Sequence, residues 1–328
     1  MAETIALVGG ETLLGKEVRE VLGETALGAQ LRLVAGAEEE SGTLTEIGGT
    51  PAFLARLDPD AVEDAAVLIL AGSAKSSKAV LEAHPSGLVI DLTYAAEHDP
   101  AAHIRAPQAE DADYEADRTG PQIVAHPAAT AIAMVLKRLH ANYPIARAVV
   151  HIFEPASEYG TAGIEELQQQ TVNLLSFQQM PKKVFDTQLA YALLAQLGSE
   201  APVPLNELED RIERHLASLL ERMDGVPMPS LRLIQAPVFH GYSFSFWIEF
   251  EEAPGASDIE EAMNQEMFDV RAGDLEPPNN VGVAGQSGIA VGAVTPDRNS
   301  PSAFWVWAAM DNLRLAAESA ALIAGEVV

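Results

Sequence analysis

The chemistry open to this sequence is limited first by a side chain it lacks. There is no cysteine, so thiol nucleophiles, disulfides and thiolate metal sites are excluded. The eight histidines are scattered, with no close pair at metal-ligand spacing. No HExxH, Walker A or GxSxG segment occurs, which leaves zinc proteases, P-loop NTPases and serine hydrolases without their machinery. The one phosphate-type motif is VGGETLLG over residues 8–15. A dinucleotide turn needs a tight bend, bare backbone beside the pyrophosphate, and close packing of helix on strand. Gly9 and Gly15 satisfy the first and last of those needs, with Gly10 and Gly72 as further cofactor-binding candidates, but Thr12 stands at the middle glycine position. Glu11 beside it places a carboxylate at a phosphate-binding helix start, where its charge opposes that of the ligand. The motif fits equally a working cofactor turn and a fold that no longer holds its cofactor tightly.

Alternating strands and helices must position that turn. Apolar runs at 3–8, 31–36, 65–72, 87–92 and 122–127 read as strands, with helices from the glycine turn to Leu22, over 75–83 and over 128–140. Strands apolar throughout and alternating with helices predict a parallel sheet covered on both faces. After Tyr143 the pattern changes. A long strand at 146–157, helices over 161–179 and 207–223, and alternating segments at 230–239, 242–252, 288–294 and 302–310 predict an α+β region with a mostly antiparallel sheet. A last helix runs over 311–324, and 276–288 reads as the longest loop. The expected fold class is α/β, a Rossmann-like parallel-sheet domain plus an α+β domain. The expected boundaries are 1–127 plus 311–328 for the first and 128–310 for the second.

Forty-eight acidic residues against 20 basic ones give a formal charge of −28. Nucleic acid and anionic membrane surfaces are repelled by such a chain, so neither is an expected partner. Solvated helix faces account for the excess, and with six lysines it is also compatible with adaptation to high salt. No apolar run approaches a membrane span. The start MAETIALVGG has no basic n-region, so a cytoplasmic location is expected.

Several segments together carry a resemblance: VGGETLLGKEVREVL, LAGSAKSSKAV, VIDLTYAAEHD, AHPAATAIAMVL, EPASEYGTAGIEEL, VFDTQLAYALLAQLG, APVFHGYSFSFWIEF and WAAMDNLRLAA. In order and spacing the chain resembles the aspartate-semialdehyde dehydrogenases, and more closely a divergent paralogue branch of that family lacking the catalytic cysteine. The resemblance implies a Rossmann domain that includes the C-terminal helix, an inserted dimerisation domain, and a homodimer or dimer of dimers. It implies an NAD(P)-dependent oxidoreductase ancestry in amino-acid biosynthesis.

The functional positions are mostly replaced. The resemblance sets Ala129 in the place of the nucleophilic cysteine, or Ala128 if the register moves by one, and a methyl group cannot form an acyl-enzyme. It sets Tyr242, within Gly241-Tyr242-Ser243, in the place of the general-base histidine. A phenol with a pKa near ~10 is a poor base at neutral pH. His240, two residues earlier, would share the face of Tyr242 on a regular strand and is a candidate proton donor. The active-site glutamine becomes Glu154, the arginine for the substrate anion becomes Glu97, the arginine for the cofactor's 2′-phosphate becomes Glu38, and a late-strand arginine becomes Ala293. Cations are lost and carboxylates gained, so anionic ligands bind more weakly and NADP suffers more than NAD. Oxygen ligands such as Glu97 and Glu154 suit magnesium or calcium, but nothing in the sequence requires a metal. Scaffold positions are kept: Gly72, Gly160 and Gly163, the segment 185–198, and Asn312 toward the cofactor pocket. Trp305 and Trp307 alternate on one strand face suited to an interface.

Three readings follow. One is a non-catalytic homologue with a binding or regulatory role, as a homodimer or as a hetero-oligomer with an active paralogue. Another is an oxidoreductase working by non-covalent hydride transfer from NAD or NADP, with Tyr242 or His240 as proton donor. The third is a module that binds a cation or amine in an acidified cleft.

Overall fold

The computed structural model describes residues 4–328, the side chains of Pro59 and Asp60 excepted. Glu3, where the sequence starts the first strand, lies outside the described residues. The chain divides into two compact units, Met1–Ala125 with Ala316–Val328, and His126–Leu315.

The first unit contains β1 (Thr4–Val8), α1 (Leu13–Gly23), β2 (Leu31–Val34), a hairpin of β3 (Leu44–Ile47) and β4 (Thr50–Phe53), a short α2 (Pro59–Val62), β5 (Ala65–Leu70), α3 (Ala74–Glu82), β6 (Leu88–Asp91), β7 (His103–Arg105) and β8 (Gln122–Val124). Its six-stranded sheet has the order β2-β1-β5-β6-β8-β7, and every pair is parallel. Side chains alternate across a strand, and here both faces are apolar. Ile5 and Leu7 join a core with Val18 and Leu22 of α1 and Ala317, Ala320 and Ile323 of the C-terminal helix, while Ala6 and Val8 join another with Val80 of α3. A parallel sheet needs cover on both sides, and this is why its strands read as unbroken apolar runs.

The second unit contains α4 (Pro127–His140), β9 (Ile145–Glu154), α5 (Gly160–Leu175), α6 (Leu205–Leu220), β10 (Ser230–Gln235), β11 (Tyr242–Phe250), α7 (Ala256–Met263), β12 (Phe268–Arg271), β13 (Ile289–Pro296), β14 (Ala303–Met310) and the start of α8 (Asn312–Gly325). The sheet order is β10-β9-β11-β14-β13-β12. The centre is antiparallel and the two edge pairs are parallel. Those edges make the sheet mixed, because β9 reaches β10 through α5 and α6, and β12 reaches β13 through the long loop ending at Gly288. Parallel neighbours require such crossovers. Phe244, Phe246, Ile248 and Phe250 are buried on the face covered by α4, α6 and α7. The opposite face carries half-buried Val149, His151, Phe153, Trp247, Trp305 and Trp307 as cross-strand neighbours.

The helix expected to reach residue 179 stops at Leu175. Phe177 adopts φ 54°, and the amide of Gln178 turns back to the carbonyl of Asn173. The following segment has little regular structure and is tied to α5 by two buried side chains. Glu166 accepts the amides of Lys183, Val184 and Phe185 at 2.6, 2.8 and 3.2 Å. Gln170 accepts those of Leu189 and Ala190 at 2.7 and 3.1 Å and donates to the carbonyls of Pro181 and Thr187, both at 2.9 Å. Buried backbone without strand or helix partners needs such side chains. Among the described residues no helix is long and apolar enough to cross a membrane.

Candidate functional site

The second unit gathers its ionisable side chains where α4 begins and β9 ends. Pro127 at the first helical position and His126 before it start α4. The His126 Nδ1 accepts the Ala128 amide hydrogen at 3.2 Å. The tautomer follows from that bond: Nε2 carries the ring proton and faces Glu158 Oε1 at 3.2 Å. The amide of His126 donates to His215 Nδ1 at 2.9 Å. Tyr242, the first residue of β11 and fully buried, donates its hydroxyl proton to Glu158 Oε2 at 3.1 Å. Its ring meets that of His126 edge-on at 6.0 Å and stacks on Phe244 at 5.9 Å. One carboxylate is thus held between a histidine and a tyrosine.

Electrostatics separates the two glutamates. Burial pushes the Glu158 carboxyl up, but the His126 ring beside it, the Tyr242 hydroxyl and Arg211 outweigh that and leave it below the ordinary carboxylate range. Glu154, the last residue of β9, is fully buried, and neither carboxyl oxygen has a protein hydrogen-bond partner. Burial raises its pKa well above the ordinary value and neighbouring Glu158 adds to the rise, against the opposing effect of the Tyr159 hydroxyl. Burial, with Glu154 and Glu158 close by, also pushes the Tyr159 phenol up. The two carboxyls are therefore pushed apart, Glu158 toward the charged form and Glu154 toward the neutral one.

The position that the resemblance assigns to the nucleophile is closed. Ala128 and Ala129 lie in the first turn of α4, both with no exposed surface. Thr130 follows, equally buried, with its hydroxyl unpartnered in the protein. No base is hydrogen-bonded to that hydroxyl to activate it. His240 does not share the strand face of Tyr242 as a regular strand would place it. β11 starts only at Tyr242, and Gly241 at φ 79° turns the chain between them. An added Cβ at Gly241 would stand 2.9 Å from the Asn280 carbonyl oxygen, so the turn demands glycine. Asn312 is buried in the second unit, its Oδ1 accepting from the Ser157 hydroxyl at 3.1 Å and the Gly241 amide at 3.4 Å. Ala293 sits exposed at φ 49°, at a register shift between β13 and β14.

In the first unit the glycine turn keeps its tight geometry. Gly9 has φ 92°, and a Cβ there would fall 2.3 Å from the backbone of Gly72. A Cβ on Gly15 would fall 1.9 Å from the Gly9 carbonyl oxygen. Thr12 caps α1, its hydroxyl accepting from the Gly15 amide at 2.9 Å and donating to the Ala71 carbonyl at 2.7 Å. Glu11 turns its carboxylate to Arg19 and to Lys16, the latter at 3.4 Å. Gly10 packs over Leu33. Glu38 is exposed, whereas Glu39 turns inward and meets backbone amides. Glu97 is half-buried in the turn after β6, its amide bonded to the Tyr94 carbonyl. A groove of about 1340 Å³ lies at the opposite ends of the strands from the glycine turn, lined by Thr4, Lys78, His84, His98, Asp99 and Arg118 among others. None of the positions singled out in the sequence lines it except by neighbourhood in the chain.

Sequence reasoning missed His126, Glu158, Tyr159 and Glu39. Only His126 leaves a local signal, as a capping side chain directly before a proline that starts a helix. The glutamates look like any other member of an acidic surface until the fold buries them.

The architecture is α/β, a parallel Rossmann-like unit joined in sequence to a mixed-sheet unit. The family model for the semialdehyde dehydrogenase dimerisation domain matches residues 136–315, more than half of the chain. The chain belongs to the semialdehyde dehydrogenase family. It is 28% identical over 329 residues to the USG-1 protein homolog of Pseudomonas aeruginosa, covering 99% of this chain and 97% of that one. It is 25% identical to the aspartate-semialdehyde dehydrogenase of Prochlorococcus marinus, covering 99% and 95%. Among solved structures, a probable aspartate-semialdehyde dehydrogenase from Pseudomonas aeruginosa superposes with a TM-score of 0.85 at 25% identity, covering 99% and 98%. Aspartate semialdehyde dehydrogenase II of Vibrio cholerae, in complex with ASA, gives 0.82 at 21% identity, covering 99% and 98%.

Proposed function

We propose that this chain is a member of the family without the family's thioester chemistry, serving a binding or regulatory role. One observation carries the reading: the position that the resemblance assigns to the nucleophile is the buried methyl of Ala129, in a chain with no cysteine anywhere. Two others support it. The base position is Tyr242, whose proton is committed to Glu158, and the glutamine position is Glu154, a buried carboxyl that burial pushes toward its neutral form. Covalent catalysis needs a nucleophile, a base and a seat for the reacting oxyanion together. Installing one of them alone restores nothing.

Ala129→Cys is therefore expected to show no phosphate-dependent reduction of NADP with aspartate semialdehyde, as in the wild type. Turnover above background in the variant would overturn the loss at several positions, and turnover in the wild type would overturn the reading altogether.

The second reading, non-covalent hydride transfer from NAD or NADP, draws on the retained geometry at Gly9, Gly15 and Gly72. Its proton donor would be Tyr242 rather than His240. Cofactor consumption with a panel of aldehydes and ketones separates the two.

We also propose a homodimer, with a hetero-oligomer with an active paralogue as the further possibility for a regulatory member. The family's dimerisation domain supports it, as does the half-buried aromatic sheet face. There Phe153 meets Trp307 at 5.8 Å, and Trp247 and Trp305 both donate to Asp297 Oδ2 at 3.2 and 2.8 Å. Large half-buried aromatics anchored by a shared acceptor suit an interface core. Sedimentation equilibrium at micromolar concentration is expected to give twice the chain mass. A monomer at that concentration would refute the homodimer.

A further inference from the structure

The resemblance implies a dinucleotide at the glycine turn, and the residues around that turn do not fit one. The reason is a single carboxylate. Glu39 Oε1 accepts the amide hydrogen of Glu11 at 2.7 Å, and Glu39 Oε2 accepts that of Gly36 at 2.6 Å. The first amide belongs to the turn after β1, the second to the loop after β2. One side chain therefore bridges the two loops with two short, charge-assisted bonds. The bridge stands where the loops converge, since a Cβ on Gly36 would lie 3.5 Å from Gly9 Cα and 3.6 Å from Ser76 Oγ at the start of α3. Bare backbone amides at a glycine turn are a seat for a phosphate or another anion. Here the anion filling it is part of the chain.

Glu11, the residue whose charge the sequence sets against a phosphate, is not the obstacle. Its carboxylate is turned to Arg19 and Lys16. Glu39 has no such partner cation among its hydrogen bonds; its two oxygens face amides. A tethered carboxylate competes with a free anion for those amides at an effective concentration on the order of millimolar. A bound phosphate would also have to sit beside the displaced negative charge.

We propose that Glu39 is the residue that decides nucleotide binding in this chain: it occupies the amide seat of the glycine turn and excludes the anionic part of a dinucleotide. The inference stands apart from the loss of catalysis, because it concerns the first unit alone and holds whether or not Ala129 and Glu154 leave any activity.

The test is calorimetric titration of NADH and NADPH into the full-length wild type, Glu39→Ala and Glu39→Gln. Thermal unfolding of each variant shows that it folds, and the glutamine variant keeps the shape of the side chain if alanine loosens the loop. Removing the charge is expected to tighten binding by about tenfold or more in both variants. A gain for both nucleotides assigns the seat to a group they share. A gain for NADPH alone assigns it to the 2′-phosphate. A smaller change in both variants, with the wild type binding equally well or all three failing to bind, overturns the proposal.

Discussion

Truncating Arg105 to alanine is expected to cost about 3–5 kcal/mol of stability, the usual penalty for removing one partner of a buried ion pair. Arg105 is the bulkiest fully buried side chain of the molecule, 1% exposed. Its Nε and Nη2 grip both oxygens of Glu110 at 2.8 Å, a planar fork on a planar carboxylate. Nη2 also reaches Glu326 at 2.8 Å, and the Tyr114 ring lies 5.3 Å from the guanidinium carbon. Glu110 further accepts the Ala106 amide at 3.0 Å. The cluster ties the end of β7 to the turn after it and to the C-terminal residues. Burial alone would lower the arginine pKa, but the Glu110 and Glu326 hydrogen bonds raise it further, so the charge is kept at every accessible pH. Alanine leaves the Glu110 carboxylate nearly buried beside an empty volume. Lysine keeps a charge but not the fork, and should recover only part of the loss. Equilibrium urea unfolding checks this. A loss under about 1 kcal/mol would mean that the cluster is loosely held and screened by water.

That arginine shows how unevenly the sequence discloses the molecule. The parallel sheet is legible because β1, β5 and β6 are apolar on both faces, and the glycine turn is legible because only glycine tolerates the contact of Gly9 with Gly72. The short elements β3, β4, β7, β12 and α7 are not. β3 and β4 have four residues each and bury none of them, Leu44 and Phe53 standing exposed, and β7 has three residues, too few to show a period. The mixed edges of the second sheet depend on crossovers that no local pattern encodes. At the candidate site, the assignment of Ala129 to the nucleophile's place rests on the resemblance. The Glu158 pair with His126 and Tyr242 is not legible, because it joins three segments far apart in the chain, Glu158 and Tyr242 alone being 84 residues apart. The placement of His240 fails for a local reason, the left-handed Gly241 ahead of the strand. Glu38 and Glu39 differ only in which way the loop after β2 turns them.

Glu154→Gln is expected to stabilise the protein at neutral pH, by an amount that grows as pH rises. The ordinary value for a glutamate is 4.5, and burial, with Glu158 adding to it, holds Glu154 well above that in the folded state. Below about pH 4.5 folded and unfolded chains both carry the proton, and the two proteins differ little. Above it the unfolded chain releases the proton while the folded chain keeps it. Stability of the wild type then falls by about 1.4 kcal/mol per pH unit until the folded value is passed. Glutamine has the same shape and no proton to lose, so the slope vanishes. Glu158 acts in the opposite sense. Its folded value is depressed, so its contribution is present above the unfolded value and is lost as pH falls through the folded one. The wild type should therefore show both an acid limb and a descending limb toward alkaline pH, and the variant only the acid limb. Denaturant unfolding of both proteins at several values between pH 5 and 8 is decisive. Parallel curves would mean that Glu154 ionises freely in the folded protein. That outcome would also revive the reading in which this carboxylate binds a cation or an amine, since such a ligand needs a charged partner. A gap that widens with pH leaves Glu154 neutral under physiological conditions and removes that reading's main support.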